Sequence, residues 1–388
     1  MTSLKLERVR ALMEEEGLDA LVVRAPDNVL YLTNFWADEG LRRRRLPARG
    51  RADARSASRR PRKTPSATPG RTDVRFLRGY ADDDPRPPAA RTLGAGPGGS
   101  ARSTARVGLE LSLGTQASDR MVGEPTTFTH DWFEGFGRQV ADATPLLARA
   151  RAVKTDAGAG AHAPRQRDRS GRDGVRREHL RPGMKESRAP RALMWNGFVH
   201  GAGTGWKGRS SWRSGSRSSG RGLGIKTFTA TGDLPVQEDE PTLFEIWVCA
   251  DGYWCDHTKN LCPGELRPEY AELERRLLAV YERRDRPLSA GREPRRARPT
   301  RFATASPRRA IPASRATRVA HGVGARAHEP PYAHQAGGGT IEEGMVLAIE
   351  PGIYWEGGGG LARRGQLPRQ RRAAPRSSPR FPDGVVCG

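Results

Sequence analysis

The apolar pattern near the N-terminus predicts a helix followed by two strands. Within residues 4–16 apolar side chains recur every three or four positions, which predicts an amphipathic helix that Gly17 ends. The apolar run from Leu18 to Val23 predicts a strand. Asp27 and Asn28 predict a turn, and the β-prone run from Val29 to Phe35 predicts a second strand. This order is typical of the start of an α/β domain.

A second apolar pattern, from Leu243 to Cys255, predicts a β-hairpin. The apolar run that ends at Ala250 is followed by the dipeptide Asp-Gly, which is typical of two-residue hairpin turns. Glu245 lies on the first strand, and Asp256 lies on the second, eleven positions later. The hairpin therefore predicts that two carboxylates converge on one face, as a pair of bridged cations requires.

The stretch Val319–Tyr354 holds the other candidate site residues. Its apolar run Met345–Ile349 is bounded by glycine and proline, which predicts a buried strand that ends at Glu350. His321 and His328 precede this strand, and glycines near His321 would let backbone or substrate approach closely. An imidazole and a carboxylate on buried strands are typical of a metal site.

Arginine-rich segments with almost no apolar periodicity separate these patterned stretches. Residues 41–64, for example, contain ten arginines where an α/β domain should continue with further strands. By composition such segments are expected to be disordered. They are either genuine linkers or short out-of-frame translations of a GC-rich gene, and we favour the second explanation because the breaks fall inside elements. The segments comprise approximately residues 41–71, 90–105, 157–178, 208–222, 284–318 and 361–380.

The composition bounds the class of protein. A chain of 388 residues is long enough for two domains, since single cores rarely grow beyond about 300 residues. The formal net charge of +23 would suit a nucleic-acid or anionic membrane partner, but 60 of the 67 basic residues are arginine. Few aromatic residues alternate with them, whereas a surface that stacks nucleic-acid bases needs such residues. Nucleic acid is therefore not the favoured partner.

The cysteines and the apolar windows indicate the cellular compartment. Three of the four cysteines, Cys249, Cys255 and Cys262, have spacings that match neither a disulfide framework nor a paired zinc knuckle. The N-terminus has no apolar leader, and no window approaches the roughly 18 apolar residues of a membrane span. These features predict a soluble cytoplasmic protein with reduced thiols.

Three segments, DGYWCDHTKN, HGVGARAHEPP and EEGMVLAIEPGIY, carry a family resemblance. They resemble the metallopeptidase superfamily that includes aminopeptidase P, prolidase, methionine aminopeptidase and the non-peptidase creatinase. The N-terminal helix and the segment YLTNF are similar to the smaller domain that precedes the catalytic domain in Xaa-Pro peptidases and creatinase. The resemblance implies an α/β (α+β) fold, with a creatinase/prolidase-type N-terminal domain at 1–150 and a pita-bread catalytic domain at 151–388.

The resemblance also implies a dinuclear metal site. In this superfamily two aspartates, a histidine and two glutamates hold two divalent ions, Mn, Co or Zn, that share a hydroxide. Asp256 matches the second aspartate, His321 matches the histidine, and Glu350 matches the first glutamate. His328 matches the histidine that contacts substrate and assists proton transfer, and Tyr354 is a further expected substrate-binding residue.

Two of the expected metal-ligand positions depart from the family pattern. Glu245 stands where the first aspartate is expected and is one methylene longer, so the spacing of the metal ions would change. Arg364 stands fourteen residues after Glu350, where the last glutamate ligand is expected. We expect this cation to repel the second metal ion and to weaken activity.

Three functions are open from the sequence. The first is a metal-dependent Xaa-Pro peptidase-like hydrolase that cleaves the bond ahead of proline with a metal-bridged hydroxide. The second is a creatinase-like or metal-free hydrolase of a small amide or amidine, which Glu245 and Arg364 favour. The third is a basic nucleic-acid-binding protein, which the charge permits but no motif supports. Relatives of this type are commonly dimers, so a homodimer is also expected.

Overall fold

The computed structural model has four α-helices and seventeen strands in the part of the chain that it describes. It divides into two units, Met1–Arg151 and Ala152–Gly388. Among the described residues, no helix is both long enough and apolar enough to cross a bilayer. The described residues are 2–23, 25–33, 42–47, 53–57, 73–77, 106–111, 139–155, 180–185, 188, 234–250, 253–282, 295–296, 315–316, 320–333, 340–355 and 359–368.

The first unit contains a mixed six-stranded sheet with helices. Its strand order is β4-β3-β2-β1-β5-β6; β1, β5 and β6 run parallel to one another, and β2 runs antiparallel to β1. The elements are α1 (Thr2–Glu15), β1 (Ala20–Val23), α2 (Pro26–Thr33), β2 (Arg42–Pro47), β3 (Asp53–Ala57), β4 (Asp73–Leu77), β5 (Arg106–Leu109), β6 (Gln139–Asp142) and α3 (Thr144–Ala152).

The predicted N-terminal helix and first strand are confirmed. The apolar face of α1 is buried, with Val9 and Met13 fully enclosed in a core that includes residues of β1 and α3. Gly17 adopts a φ of 65°, a left-handed conformation that glycine enters without a Cβ clash, and it ends the helix. The amide of Leu18 donates to the carbonyl of Met13 at 2.8 Å, which closes the last turn.

The predicted second strand is wrong, because residues 26–33 form α2. Pro26 suits the first turn of a helix, where no backbone donor is required, and Asp27 adds a negative charge there. The hydroxyl of Thr33 donates to the carbonyl of Val29 at 2.6 Å. Buried Asn28 contacts the side chains of Glu110 and Arg151, so tertiary contacts override the strand propensity of this run. The end of the run, at Phe35, lies outside the described residues.

The first arginine-rich segment contributes two strands, although its composition predicts disorder. β2 pairs with β1 from Ala20 opposite Pro47 to Val23 opposite Arg44, and β3 pairs with β2. These ladders use backbone groups, which every residue type except proline supplies in full. The two explanations of the arginine-rich composition therefore stay hypotheses.

Within its described residues, the second unit contains antiparallel sheets and one long helix. The orders are β7-β8, β12-β11-β14-β17, β10-β15-β16 and β13-β9. The elements are β7 (Thr242–Ala250), β8 (Tyr253–Leu261), α4 (Pro268–Glu282), β9 (Arg295–Arg296), β10 (Arg315–Ala316), β11 (Ala320–Gly322), β12 (Glu329–Ala333), β13 (Thr340–Ile341), β14 (Val346–Ile349), β15 (Gly352–Trp355), β16 (Gly359–Ala362) and β17 (Gly365–Pro368).

The predicted hairpin is β7 and β8. Its register places Trp247 opposite Asp256, and it places Glu245 opposite Thr258. The predicted buried strand that ends at Glu350 is β14, and all four of its residues are buried. Strand β14 lies between β11 and β17, so its ladder positions the residues of the candidate site.

Candidate active site

The pairing of β14 with its neighbours brings three site residues together. His321 on β11 lies opposite Ala348, and Glu350 comes directly after β14. Ile349 lies opposite Gly365. Arg364, which directly precedes Gly365, therefore lies at the same end of the ladder as Glu350. A single bridge between Thr258 and Arg364 then brings β8, and with it Asp256, to this position. The convergence therefore follows from strand register.

Four side chains form a closed ring, which we call the ion-pair ring: Asp256, His321, Glu350 and Arg364. Nε2 of His321 lies 3.4 Å from Oδ2 of Asp256 and 3.5 Å from Oε1 of Glu350. Nη1 of Arg364 donates to Asp256 at 2.9 Å, and its Nη2 lies 3.0 Å from Oε2 of Glu350. Basic and acidic groups thus alternate around the ring. All four side chains are at most 7 % exposed.

The charges in the ring shift the pKa values of two members. Burial alone would raise the pKa of Asp256, but the Arg364 guanidinium and the hydrogen bond with His321 outweigh it and lower that pKa. Burial would lower the pKa of His321, but the Glu350 carboxylate and the hydrogen bond with Asp256 outweigh it and raise that pKa. The ring therefore favours an ionised Asp256 and a protonated His321.

His328 lies next to the ring on the segment between β11 and β12. The imidazole rings of His328 and His321 have centroids 4.1 Å apart and are tilted by 31°. Gly322 and Gly324 permit this arrangement because a Cβ on Gly322 would lie 2.7 Å from the carbonyl oxygen of Glu329. The predicted close approach to these glycines is thus made by the segment that carries His328.

A buried ion pair anchors the same segment. Nζ of Lys154 lies 3.0 Å from Oε2 of Glu329, and both side chains are at most 1 % exposed. Nζ also donates to the carbonyl of Ala152, and the amide of Arg326 donates to Oε1 of Glu329. Burial, followed by the charge of Glu329, raises the pKa of Tyr253 to about 12. No local sequence pattern predicts this pair, because 175 positions separate its members and no periodicity links them.

Two predicted site residues have side chains outside the described part of the structure. Glu245 has a described backbone opposite Thr258, and Tyr354 has a described backbone on β15. Their roles as metal ligand and substrate-binding residue stay predictions. The structure brings together Asp256, His321 and Glu350, with His328 beside them.

The donor set fits one divalent ion by its chemistry. Asp256, His321 and Glu350 each offer one ligand atom, and these atoms lie within 4.8 Å of one another. Two carboxylates and an imidazole suit ions such as Mn or Zn. Arg364 contacts both of these carboxylates, so an ion at this donor set would have to displace its guanidinium.

Comparison with protein-family models shows which family this chain represents. The model of metallopeptidase family M24 matches residues 166–367, which is more than half of the 388 residues. The model of the creatinase/prolidase N-terminal domain matches residues 5–45. The chain belongs to metallopeptidase family M24, a family of hydrolytic peptidases that implies the use of divalent metal ions. A search of curated proteins finds no match.

Solved structures share the fold along the whole chain. The X-Pro aminopeptidase from Thermotoga maritima aligns with a TM-score of 0.71 and 17 % identity, with 99 % of each chain covered. The prolidase from Thermococcus sibiricus aligns with a TM-score of 0.70 and 18 % identity, over 96 % of this chain and 95 % of that one. The Xaa-Pro dipeptidase from Bacillus anthracis aligns with a TM-score of 0.68 and 15 % identity, with 100 % of each chain covered. The predicted creatinase-type domain followed by a pita-bread domain is confirmed.

Proposed function

We propose that this chain is a metal-dependent hydrolase of the Xaa-Pro peptidase type, with activity that Arg364 limits. The observation that carries the proposal is the convergence of Asp256, His321 and Glu350 at the end of one buried ladder. These residue types stand at the positions that the family resemblance assigns to metal ligands. The similar folds of proteins named as prolidases and Xaa-Pro peptidases support the substrate class.

Each residue of the site has a role in the proposed reaction. Asp256, His321 and Glu350 would hold a divalent ion, which supplies Lewis acidity and an activated water when bound. His328 lies beside His321 and is partly exposed, so it can orient a peptide and exchange a proton with it. The Lys154–Glu329 pair fixes the segment on which His328 lies.

A second candidate is a metal-free hydrolase of a small amide or amidine, as in creatinase-like relatives. The observation that favours it is the contact of Arg364 with both carboxylates, because a guanidinium neutralises part of their charge without an ion. His328 would then be the proton-handling residue of the same cleft. The prediction of a nucleic-acid-binding protein has no comparable support from the described site.

Hydrolysis of matched peptides tests the proposal. The purified chain and its Arg364→Glu variant are incubated with Mn²⁺ and either an Xaa-Pro dipeptide or the corresponding Xaa-Ala dipeptide. We expect faster metal-dependent release of proline by the variant than by the wild-type chain, and little cleavage of the Xaa-Ala peptide. Cleavage of creatine in EDTA would favour the second candidate. Absence of Xaa-Pro cleavage by both proteins would reject the first.

The cellular location and the oligomeric state stay predictions. A cytoplasmic protein and a homodimer are the expectations from the sequence and the family resemblance. Cell fractionation tests the location, and sedimentation of the purified chain tests the dimer. Salt-sensitive binding to duplex DNA would revive the nucleic-acid hypothesis.

A further inference from the structure

We propose that the guanidinium of Arg364 is a tethered cation that occupies the metal-binding carboxylates and competes with a divalent ion. The inference rests on the proposed function only in taking the ion-pair ring as the family's metal site. It adds a residue of this chain that opposes metal binding, and it explains how a cluster of two buried carboxylates can form without an ion.

The contacts of Arg364 place it on the atoms that a metal would need. One nitrogen of the guanidinium contacts both carboxylate oxygens of Asp256, at 3.2 and 2.9 Å. The other nitrogen lies 3.0 Å from Oε2 of Glu350. A guanidinium presents its donors in a rigid planar fork, so one side chain can hold two carboxylates at once.

The backbone holds Arg364 in this position. Its main chain pairs with Thr258 on β8, and the next residue begins β17, which pairs with β14. The Arg364 side chain is 7 % exposed, as is that of Glu350, and Asp256 is fully buried. Arg364 therefore belongs to the strand ladder that forms the site. Its side chain is held more firmly than that of a solvent-exposed surface arginine.

The charge balance explains why the competition should be strong. Arginine keeps its positive charge at any ordinary pH. A dication at the same carboxylates would lie close to this charge in a buried site, where repulsion is weakly screened. Binding therefore requires Arg364 to give up both carboxylates, and a buried cation without its partners is costly.

Arg363 provides a matched control at the neighbouring position. Its Nη2 lies 2.7 Å from Oε1 of Glu274, and both side chains are buried to a similar degree as those of the ring. This pair involves none of the three candidate ligands. Substitution of Arg363 therefore breaks a buried arginine–carboxylate pair in the same segment without opening the metal site.

Binding of Mn²⁺ alone, measured by equilibrium dialysis and by thermal unfolding, tests the inference. The proteins are the full-length wild type, Arg364→Gln, Arg364→Glu and the control Arg363→Gln. We expect Arg364→Gln to bind one Mn²⁺ at least about tenfold more tightly than the wild type, and Arg364→Glu more tightly still. Mn²⁺ should raise the unfolding temperature of both Arg364 variants, but not of the wild type or Arg363→Gln.

Equal Mn²⁺ affinity in the wild type and Arg364→Gln would overturn the inference. If the Arg364 variants fail to fold, the wild type alone decides: one equivalent of Mn²⁺ bound at micromolar concentration contradicts a competing guanidinium, and no binding at that concentration supports it. Because this measurement uses no peptide, it can succeed when the peptidase assay fails. The two proposals are therefore tested separately.

Discussion

Two buried ion-pair centres of the second unit differ in how their charges are matched. Lys154 faces one carboxylate, that of Glu329, and the pair also bonds to a backbone amide and a backbone carbonyl. In the ion-pair ring, by contrast, Arg364 is shared by two carboxylates, and His321 also lies close to both of them. The first centre pairs one cation with one carboxylate, whereas the second combines two carboxylates with an imidazole, the donor types of a metal site.

This difference indicates that the Lys154–Glu329 pair stabilises the structure, whereas the ion-pair ring is suited to chemistry. A buried pair of one cation and one carboxylate that also bonds to the backbone holds the backbone in place, as Lys154 and Glu329 do for the segment that carries His328. A cluster of two carboxylates and an imidazole can instead hold a divalent ion, once His321 has lost its proton and Arg364 has withdrawn. We therefore expect substitutions at the two centres to change different properties.

The largest effects are expected at the two histidines in the Arg364→Glu background. His321→Ala should remove metal and abolish peptide hydrolysis, because His321 contributes the nitrogen donor of the cluster. His328→Ala should retain metal and lower kcat by about 10²- to 10⁴-fold, the usual contribution of a general acid or base. Metal analysis and kcat for the same preparations check both. Metal loss in His328→Ala, or full activity in His321→Ala, would contradict these roles.

A large loss of stability is expected at the Lys154–Glu329 pair. Lys154→Met should destabilise the chain by about 3 to 5 kcal/mol, because Glu329 would be left buried without its cation. Thermal or urea unfolding measures the loss. Lys185→Met is the control, since Lys185 is exposed and its replacement should change stability by roughly 0.5 kcal/mol or less. Similar stability of the two variants would show that the Lys154–Glu329 pair is not structural.

The smallest effect is expected at Lys5 in the first unit, a buried cation that lies over an aromatic ring. Nζ of Lys5 lies 5.0 Å from the centre of the Tyr31 ring, and burial lowers the pKa of Lys5 from 10.5 to about 8. Between pH 8 and 10.5 the unfolded chain therefore binds more protons at Lys5 than the folded chain does. Stability should rise with pH across this window because of Lys5, by on the order of 2 kcal/mol.

Substitution of Lys5 checks this pH dependence. Urea unfolding of the wild type and of Lys5→Met is measured from pH 7 to 10.5. We expect the difference in stability between the two proteins to shift in favour of the wild type as the pH rises above 8. A difference that does not change with pH would show that Lys5 keeps its ordinary pKa in the folded chain.

Local sequence patterns predicted those elements that local forces determine. The helix before Gly17, the pair of strands β7 and β8 and the buried strand before Glu350 each have a strong periodic or turn signal, and each is present. The run after Asp27 was mispredicted because its β-prone residues are held in a helix by proline at its start and by buried contacts of Asn28. Those contacts join positions more than 80 residues apart.

The candidate site was predictable in its parts but not in its connections. Order and spacing identified Asp256, His321 and Glu350, which the structure brings together. The sequence also identified Arg364 as a misplaced cation, but its contact with two carboxylates depends on the register of β14, β17 and β8. Register is set by the whole sheet, so a local pattern does not contain it.

The most direct test of the account is the location of Mn²⁺ in crystals of the Arg364→Glu variant and of the wild type, determined by anomalous diffraction. We expect an Mn²⁺ peak coordinated by Asp256, His321 and Glu350 in the variant, and no peak there in the wild type, where Arg364 contacts both carboxylates. An equally occupied Mn²⁺ site in the wild type, or a variant with Mn²⁺ bound elsewhere, would contradict it.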